Sequence, residues 1–166
     1  GLTGSPFDSF LTLRGLRTLD ARMRVHQENA TAIAALLDGH AAVEKVYFPG
    51  LATHPGHAVA ARQQAGFGAV LSFELAGGES GVGAFVDALR WFTLAESLGG
   101  VESLVAHPAT MTHAAMSAEA RAKAGISDGL LRLSIGIEAC EDLVADVAAA
   151  LLAAEAAAVG RKRVDA

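Results

Sequence analysis

The sequence predicts one domain of the α/β class, α+β-like in character, in which a small sheet is covered by helices on one face. Two observations lead to this prediction. Short segments with alternating apolar residues interleave with segments of helical periodicity, and tight turns join most of them. The chain also has neither an internal repeat nor a dividing linker, and its 166 residues, 52% of them hydrophobic, suffice for one core.

A long helix precedes the sheet. Ser5 can cap it, Pro6 suits its first turn, and apolar residues then recur at spacings of three and four. This apolar face consists of Leu16, Leu19, Met23, His26, Ala30, Ile33 and Leu37. Gly15 is a candidate bend, and Gly39 is expected to end the helix. Because His26 lies within the apolar face, we expect it to be a packed side chain.

The remaining elements follow from the same two periodicities. Strands are expected at 43–48, 69–75, 91–94 and 131–137, and helices at 57–63, 82–89, 117–123 and 141–158. The segment 94–113 is polar and small for its length, and connections of that kind are usually functional. We therefore divide the chain into a linker stub and connecting helix (1–40), a small domain (41–159) and a basic tail (160–166).

Composition excludes several classes of partner. The net charge is −5 and the pI is about 5.6, so duplex nucleic acid, which requires a basic face, is not an expected partner. No apolar run approaches the length of a membrane helix, so no membrane partner is expected. The single cysteine, Cys140, excludes an internal disulfide and favours a cytoplasmic location. A mean hydropathy of +0.36 fits the high alanine content, or a domain with one side buried against a further partner.

Arg132 is the sharpest single candidate for function. In segment 131–137 the apolar residues point one way, and Arg132, Ser134 and Gly136 point the other. An arginine held there, with small neighbours that leave room for a ligand, could bind a carboxylate with two hydrogen bonds. An ordinary solvent-facing arginine is the alternative, and the pattern alone favours it.

The segment that carries Glu96 and Ser97 is the second candidate. Its glycines, Gly99 and Gly100, permit a close backbone approach and a positive φ. Ser97 could donate to a ligand oxygen, and Glu96 could bind an amine. A turn whose side chains only cap local backbone groups is equally consistent with these residues.

The histidines raise a metal hypothesis. His54, His57, His107 and His113 could be considered zinc ligands, but their spacing is loose and no acidic cluster accompanies them. We therefore expect no metal site and interpret these histidines as surface or packing residues.

Several residue strings resemble one enzyme family. They lie at 5–19, 61–75, 92–104, 107–114 and 130–138, within a resemblance that covers about residues 4–154. The most specific strings are Ala95-Glu-Ser-Leu-Gly-Gly and Arg132-Leu-Ser-Ile-Gly-Ile-Glu. They are similar to the pyridoxal-phosphate-dependent Cys/Met metabolism (trans-sulfuration) enzymes. The whole match looks like the C-terminal domain of that fold-type I family, which implies a mostly antiparallel sheet.

The resemblance implies roles for three residues. The arginine matching Arg132 binds the α-carboxylate of the amino-acid substrate, with help from the serine that matches Ser97. The residue matching Glu96 lies near the distal end of the substrate, and glutamate there favours γ-chemistry over β-elimination. The strings are most similar to the bacterial cystathionine γ-synthase branch, in which cysteine replaces the acyloxy group of an O-acylhomoserine.

The resemblance also implies what the chain lacks. Pyridoxal phosphate needs a lysine for its Schiff base, and neither Lys45, Lys123 nor Lys162 lies in the Ser-x-Thr-Lys context of the family. We therefore expect the cofactor in the full-length enzyme, with no catalytic lysine, no bound cofactor and no activity in this chain alone. The chain begins without methionine, which suggests a processed product or an excised piece.

The expected partners follow from the family. They are an amino-acid substrate (O-acylhomoserine, cysteine or cystathionine), the family's N-terminal cofactor-binding domain, and further copies of the same chain in a homo-oligomer. Two alternatives stay open. One is a cystathionine γ-lyase of the same family, and the other is a free-standing, non-catalytic assembly or regulatory module.

Overall fold

A five-stranded sheet forms the centre of the molecule. The computed structural model describes residues 3–164, with side chains described as far as residue 159. In chain order the elements are α1 (Pro6–Leu16), α2 (Leu19–Leu37), β1 (Val43–Tyr47), α3 (His57–Gln63), β2 (Val70–Leu75), α4 (Gly78–Ala88), β3 (Thr93–Leu94), β4 (Leu104–Ala106), α5 (Ala118–Lys123), β5 (Leu130–Ser134) and α6 (Cys140–Val164). The strand order is β1-β2-β5-β4-β3. Neighbours are antiparallel except β3 and β4, which confirms the expected fold class. None of the helices described is long and apolar enough to cross a membrane.

One hydrophobic core lies between the inner face of the sheet and helices α2, α4 and α6. The expected alternation holds in β2, where Leu71, Phe73 and Leu75 are buried and the residues between them are not. The expected helical face of α6 is also confirmed, since Leu143, Val147, Ala150, Leu151 and Ala154 are all fully buried. These apolar faces bury large aliphatic and aromatic side chains, which is the main stabilising contribution to a domain of this size.

The predicted long helix is divided in two. Ser5 caps α1 as expected, by accepting a hydrogen bond from the backbone N–H of Asp8. The helix then breaks after Leu16, close to the predicted bend, where the carbonyl of Gly15 accepts a bond from the N–H of Thr18. Gly39, at φ +96°, follows the end of α2 as expected.

The N-terminal part of this apolar face does not join the core. Leu16 is 58% exposed and Leu19 is 40% exposed. Burial begins at His26, because only the later turns of α2 lie against the sheet and α6. Helix α1 has no buried residue, and its aromatic side chains, Phe7 and Phe10, are exposed.

Several boundaries differ from the prediction, and helix α4 begins four residues early, at Gly78. Strand β5 ends at Ser134, and Ile137 is 36% exposed, with its N–H bonded to the carbonyl of Val101 in the 95–103 segment. Strand β3 begins at Thr93, since the buried carboxylate of Asp146 accepts the N–H groups of Arg90 and Trp91. Helix α6 continues through residues 160–164, where a tail was expected, and residues 165 and 166 lie outside the described part.

The segment 94–113 is not one long connection. It contains β4, a strand with all three residues buried, which pairs with β3 on one side and β5 on the other. The connection itself is therefore residues 95–103, which join the parallel strands β3 and β4. Parallel strands normally need a crossover of about a dozen residues or more. This short one crosses the outer face of the sheet instead of carrying a helix.

A polar network joins the first two strands to the segment after α5. Tyr47 of β1 donates a hydrogen bond to one carboxylate oxygen of Glu74 in β2, and the hydroxyl of Ser127 donates to the other oxygen at 3.0 Å. The ammonium of Lys45 lies 4.6 Å from the centre of the Tyr47 ring. Hydrogen bonding to Glu74, together with burial and the negative charge of that carboxylate, raises the pKa of Tyr47 to about 12.

We expect the stability of the chain to fall at high pH through this tyrosine. The folded pKa of about 12 exceeds the ordinary value of 10.0, so the protonated phenol stabilises the fold fully below pH 10 and loses this effect as the pH rises through 12. Tyr47 is the only tyrosine, so ultraviolet titration of tyrosinate measures this group alone. In Glu74→Ala the midpoint should move toward the ordinary value, whereas Glu44→Ala should not move it. A wild-type midpoint at the ordinary value would contradict the network.

Candidate functional site

Arg132 lies in the middle of β5, on the face of the sheet opposite the core. Its neighbours in the sheet are Ser72 of β2 and Ala106 of β4. The residues before and after it, Leu131 and Leu133, are fully buried. Because side chains alternate along a strand, this burial directs Arg132 to the outer face, as the sequence predicted.

The guanidinium of Arg132 is only partly used by the fold. Its Nη2 donates to the backbone carbonyls of Glu96, at 3.1 Å, and Ser97, at 3.0 Å. Its Nε is buried and has no hydrogen-bond partner among the described residues. A buried donor without a partner is unfavourable. The group is thus held at Nη2, while Nη1 is not buried and has no hydrogen-bond partner among the described residues. The Nη1 and Nη2 pair suits an acceptor with two oxygens such as a carboxylate.

The structure brings the three predicted residues together through the backbone of the 95–103 connection. Glu96 and Ser97 approach Arg132 by their carbonyls, and both residues are exposed. Gly99 has φ +79°, the backbone conformation predicted for this segment. Glu96 and Ser97 are therefore held beside the guanidinium and remain accessible to a ligand.

The connection 95–103 follows β5 in order along its outer face. After the contacts with Arg132, the N–H of Gly99 donates to the hydroxyl of Ser134 at 2.9 Å. Further along, the carbonyl of Val101 accepts from the N–H of Ile137 at 2.9 Å. The expectation that Ser134 and Gly136 leave room for a ligand is wrong. Both are buried, and a Cβ at Gly136 would lie 2.4 Å from the Val101 carbonyl oxygen.

Three residues that hold this arrangement were not identified from the sequence. The backbone N–H and hydroxyl of Ser103 donate to the two carboxylate oxygens of Glu138, at 2.7 and 2.9 Å. The amide of Asn29 donates to the carbonyls of Gly136 and Glu138, at 3.1 and 2.9 Å. One sequence signal was available for Asn29, since an asparagine in the apolar face of a helix needs a buried partner.

The histidines serve the fold at separate places. His26 is buried as expected and bonds through Nδ1 to the carbonyl of Ile135 at 2.6 Å. His57 bonds to the carbonyl of Pro49, and the two ring nitrogens of His107 bond to Thr110 and Asp128. In the described range, no three or more His, Cys, Asp or Glu side chains come together as a metal would require. The zinc hypothesis therefore gains no geometric support.

The two lysines whose side chains are described show no site built for a Schiff base. The ammonium of Lys45 lies over the Tyr47 ring, on the edge strand β1 and two strands from Arg132. Lys123 lies in the last turn of α5, and the side chain of Lys162 lies outside the described part. Among the side chains that the structure describes, neither Lys45 nor Lys123 lies in a site that fits a covalently held pyridoxal phosphate.

Comparison with known proteins identifies the family. The family sequence model of the Cys/Met metabolism PLP-dependent enzymes matches residues 1–152. Cystathionine γ-synthase of Escherichia coli strain K12 is 60% identical over 147 residues, which are 89% of this chain and 38% of the relative. A cystathionine β-lyase of Lactococcus lactis is 53% identical over 91% of the chain and 40% of the relative. A cystathionine γ-lyase of Dictyostelium discoideum is 52% identical over 91% of the chain and 39% of the relative.

A solved structure agrees with these relatives. The crystal structure of cystathionine γ-synthase from Xanthomonas oryzae pv. oryzae in complex with aminoacrylate and cysteine is similar, with a TM-score of 0.88 and 80% sequence identity. The similarity covers 94% of this chain and 40% of that one. The chain thus spans about 40% of the length of the proteins it matches. It belongs to the Cys/Met metabolism PLP-dependent enzyme family, whose cofactor is pyridoxal phosphate and whose members act in trans-sulfuration.

Proposed function

We propose that this chain is the C-terminal, substrate-binding domain of a cystathionine γ-synthase, in which cysteine replaces the acyloxy group of an O-acylhomoserine during methionine biosynthesis. The similarity to γ-synthases, at 60% and 80% identity, supports this activity over those of the lyase relatives. In this proposal the complete enzyme carries the cofactor and acts in the cytoplasm. It assembles as a homo-oligomer, and the family resemblance implies that this oligomer is a tetramer.

The observation that carries the proposal is the half-used guanidinium of Arg132. The substrate's α-carboxylate accepts from the unsatisfied side of this group, and the hydroxyl of Ser97 supplies a further donor. Arg132 is rigid because β5 and two backbone carbonyls hold it. A two-point contact with a rigid arginine fixes the orientation of the substrate, which can lower a reaction barrier by several kcal/mol.

Glu96 distinguishes among substrates in this proposal. It is exposed beside Arg132, so a substrate held by its α-carboxylate extends its side chain past this residue. The family resemblance associates glutamate here with γ-chemistry. The γ-lyase activity is the second candidate, supported by the relative from Dictyostelium discoideum.

The cofactor and this chain contribute different parts of the active site. Pyridoxal phosphate, when bound, withdraws electrons from the α-carbon of the substrate and makes its proton removable. The two lysines whose side chains are described, Lys45 and Lys123, do not fit the cofactor's covalent bond, so we assign that bond to the N-terminal domain. The role of Arg132, Ser97 and Glu96 is to hold the substrate in a fixed orientation.

The substitution Arg132→Lys in the complete enzyme should raise KM for the amino-acid substrate by about tenfold or more. A lysine ammonium is a point charge and cannot reproduce the planar pair of donors. Steady-state kinetics measures the effect, and Arg24→Lys is the matched control because Arg24 is exposed and forms an ion pair with Asp20 of the same helix. An unchanged kcat/KM in Arg132→Lys would remove this residue from the site.

The two candidate activities separate in a substrate comparison. We expect the complete enzyme to convert O-succinylhomoserine and cysteine to cystathionine with a higher kcat/KM than it cleaves cystathionine. The measurement follows both reactions with the same preparation. Preferential cleavage of cystathionine would establish the γ-lyase alternative in place of the synthase.

The isolated chain should neither form a stoichiometric Schiff base with pyridoxal phosphate nor catalyse the reaction. After incubation with the cofactor and reduction with borohydride, peptide mass mapping should find scattered, low labelling of Lys45, Lys123 and Lys162. Stoichiometric labelling of a single lysine would show that the chain builds its own cofactor site. That result would overturn the division between the two domains.

A further inference from the structure

We propose that Glu138 is a positioning residue, which acts through Ser103 to hold the 95–103 connection over β5 and thereby keeps Glu96 and Ser97 beside Arg132. The inference rests on the proposed function, because it concerns the same site. Glu138 does not touch the substrate in this scheme. Its effect reaches the substrate through the connection.

The connection 95–103 depends on polar contacts for its place. Its residues 96–99 are exposed, and its larger apolar side chains, Leu98 and Val101, are 54% and 47% exposed. Segments with few buried apolar contacts open locally at low free-energy cost. Hydrogen bonds must therefore decide where the backbone of Glu96 and Ser97 lies.

The strongest of these bonds lie at the end of the connection. The carboxylate of Glu138 accepts both the N–H and the hydroxyl of Ser103, and that hydroxyl in turn accepts the N–H of Gly136 at 2.8 Å. Ser103 is fully buried, so these bonds are shielded from water. Hydrogen bonds to an ionised carboxylate are about twice as strong as neutral ones.

The chain around Glu138 is fixed from the other side. Asn29, which is 2% exposed, donates to the carbonyls of Gly136 and Glu138. His26 bonds to the carbonyl of Ile135, one residue earlier. Helix α2 therefore fixes the backbone that carries Glu138. The Glu138 carboxylate in turn fixes the connection through its bonds to Ser103.

The geometry relates this anchor to the binding residues. Arg132, Ser134 and Gly136 succeed each other at two-residue steps along one face, and the connection contacts them in the same order. Without the bonds from Glu138, the connection would keep the bonds of Val101, Ser103 and Gly99 to the segment 134–137 and the bonds from Nη2 of Arg132. Only the bonds from Nη2 of Arg132 fix Glu96 and Ser97 directly, and they come from the guanidinium that the substrate must also use.

The first test substitutes Glu138→Gln in the complete enzyme, with Glu102→Gln as the matched control. Glutamine keeps the size of the side chain but offers one acceptor where Ser103 needs two. Glu102 is an exposed carboxylate in the same connection, for which the structure gives no hydrogen bond among the described residues. We expect Glu138→Gln to raise KM for the amino-acid substrate about tenfold with kcat within about twofold, and Glu102→Gln to change neither.

A double variant distinguishes positioning from a general structural effect. If Glu138 acts through the Arg132 site, Glu138→Gln should add less than about twofold to the KM of Arg132→Lys. If the KM increases of the two single variants multiply in the double variant, the inference is overturned.

Hydrogen exchange gives an independent measurement. In Glu138→Gln, the backbone amides of 95–103 should exchange faster than in the wild type, and those of α6 should exchange at the same rate. If Glu138→Gln exposes α6 as well, the same measurements on Ser103→Ala, which removes the hydroxyl without changing charge, decide the question.

Failure of this inference differs from failure of the proposed function. If Arg132→Lys leaves KM unchanged, the proposed site is wrong. If Arg132→Lys raises KM and both Glu138→Gln and Ser103→Ala behave like Glu102→Gln, the site stands and the positioning role is wrong.

Discussion

The burial of Leu131 and Leu133 is the constraint on which the site depends. Both side chains are fully buried in the core that β5 shares with α2, α4 and α6. A shift of β5 by one residue would expose them and place the charge of Arg132 inside the core. Both changes are unfavourable, so the core alone fixes the register. The direction of Arg132 is thus decided by its apolar neighbours, before any contact that it makes itself.

The second constraint is the parallel pairing of β3 and β4. The chain must return from the end of β3 to the start of β4 within the connection 95–103, which is shorter than the dozen or so residues that a helical crossover normally needs. The core helices already cover the inner face, so the connection crosses the outer one. This topology places exposed residues directly over the strand that carries Arg132. The site therefore combines a rigid strand with a connection that hydrogen bonds hold in place.

Local periodicity was sufficient to predict the fold class, the alternation in β2 and the buried face of α6. It also predicted the orientation of Arg132, because the apolar residues on either side of it alternate. These features depend on neighbours in the sequence, or on the repeat of one element. Gly99 was likewise predictable, since a glycine pair in a polar segment indicates an unusual backbone conformation.

The features that were missed depend on distant parts of the chain. Strand β4 has three residues buried on both faces, so it lacks the alternation by which a strand is identified. The room expected beside Ser134 and Gly136 is filled by a connection whose path follows from the pairing of β3 with β4. The same holds for Glu138 and Asn29. Their partners lie 35 residues away for the Glu138–Ser103 bond and 107 residues away for the Asn29–Gly136 bond.

The family relationships place a limit on how specificity can be encoded. Relatives named as a γ-synthase, a β-lyase and a γ-lyase are all more than 50% identical to this chain. Such close sequences share the fold, so the difference between these activities must depend on few side chains within this domain or on the rest of each protein. In the proposed site the carboxylate contact of Arg132 is common to every amino-acid substrate and cannot discriminate. Discrimination by this chain must then come from the exposed residues that the connection holds next to Arg132, Glu96 and Ser97, of which Glu96 is charged.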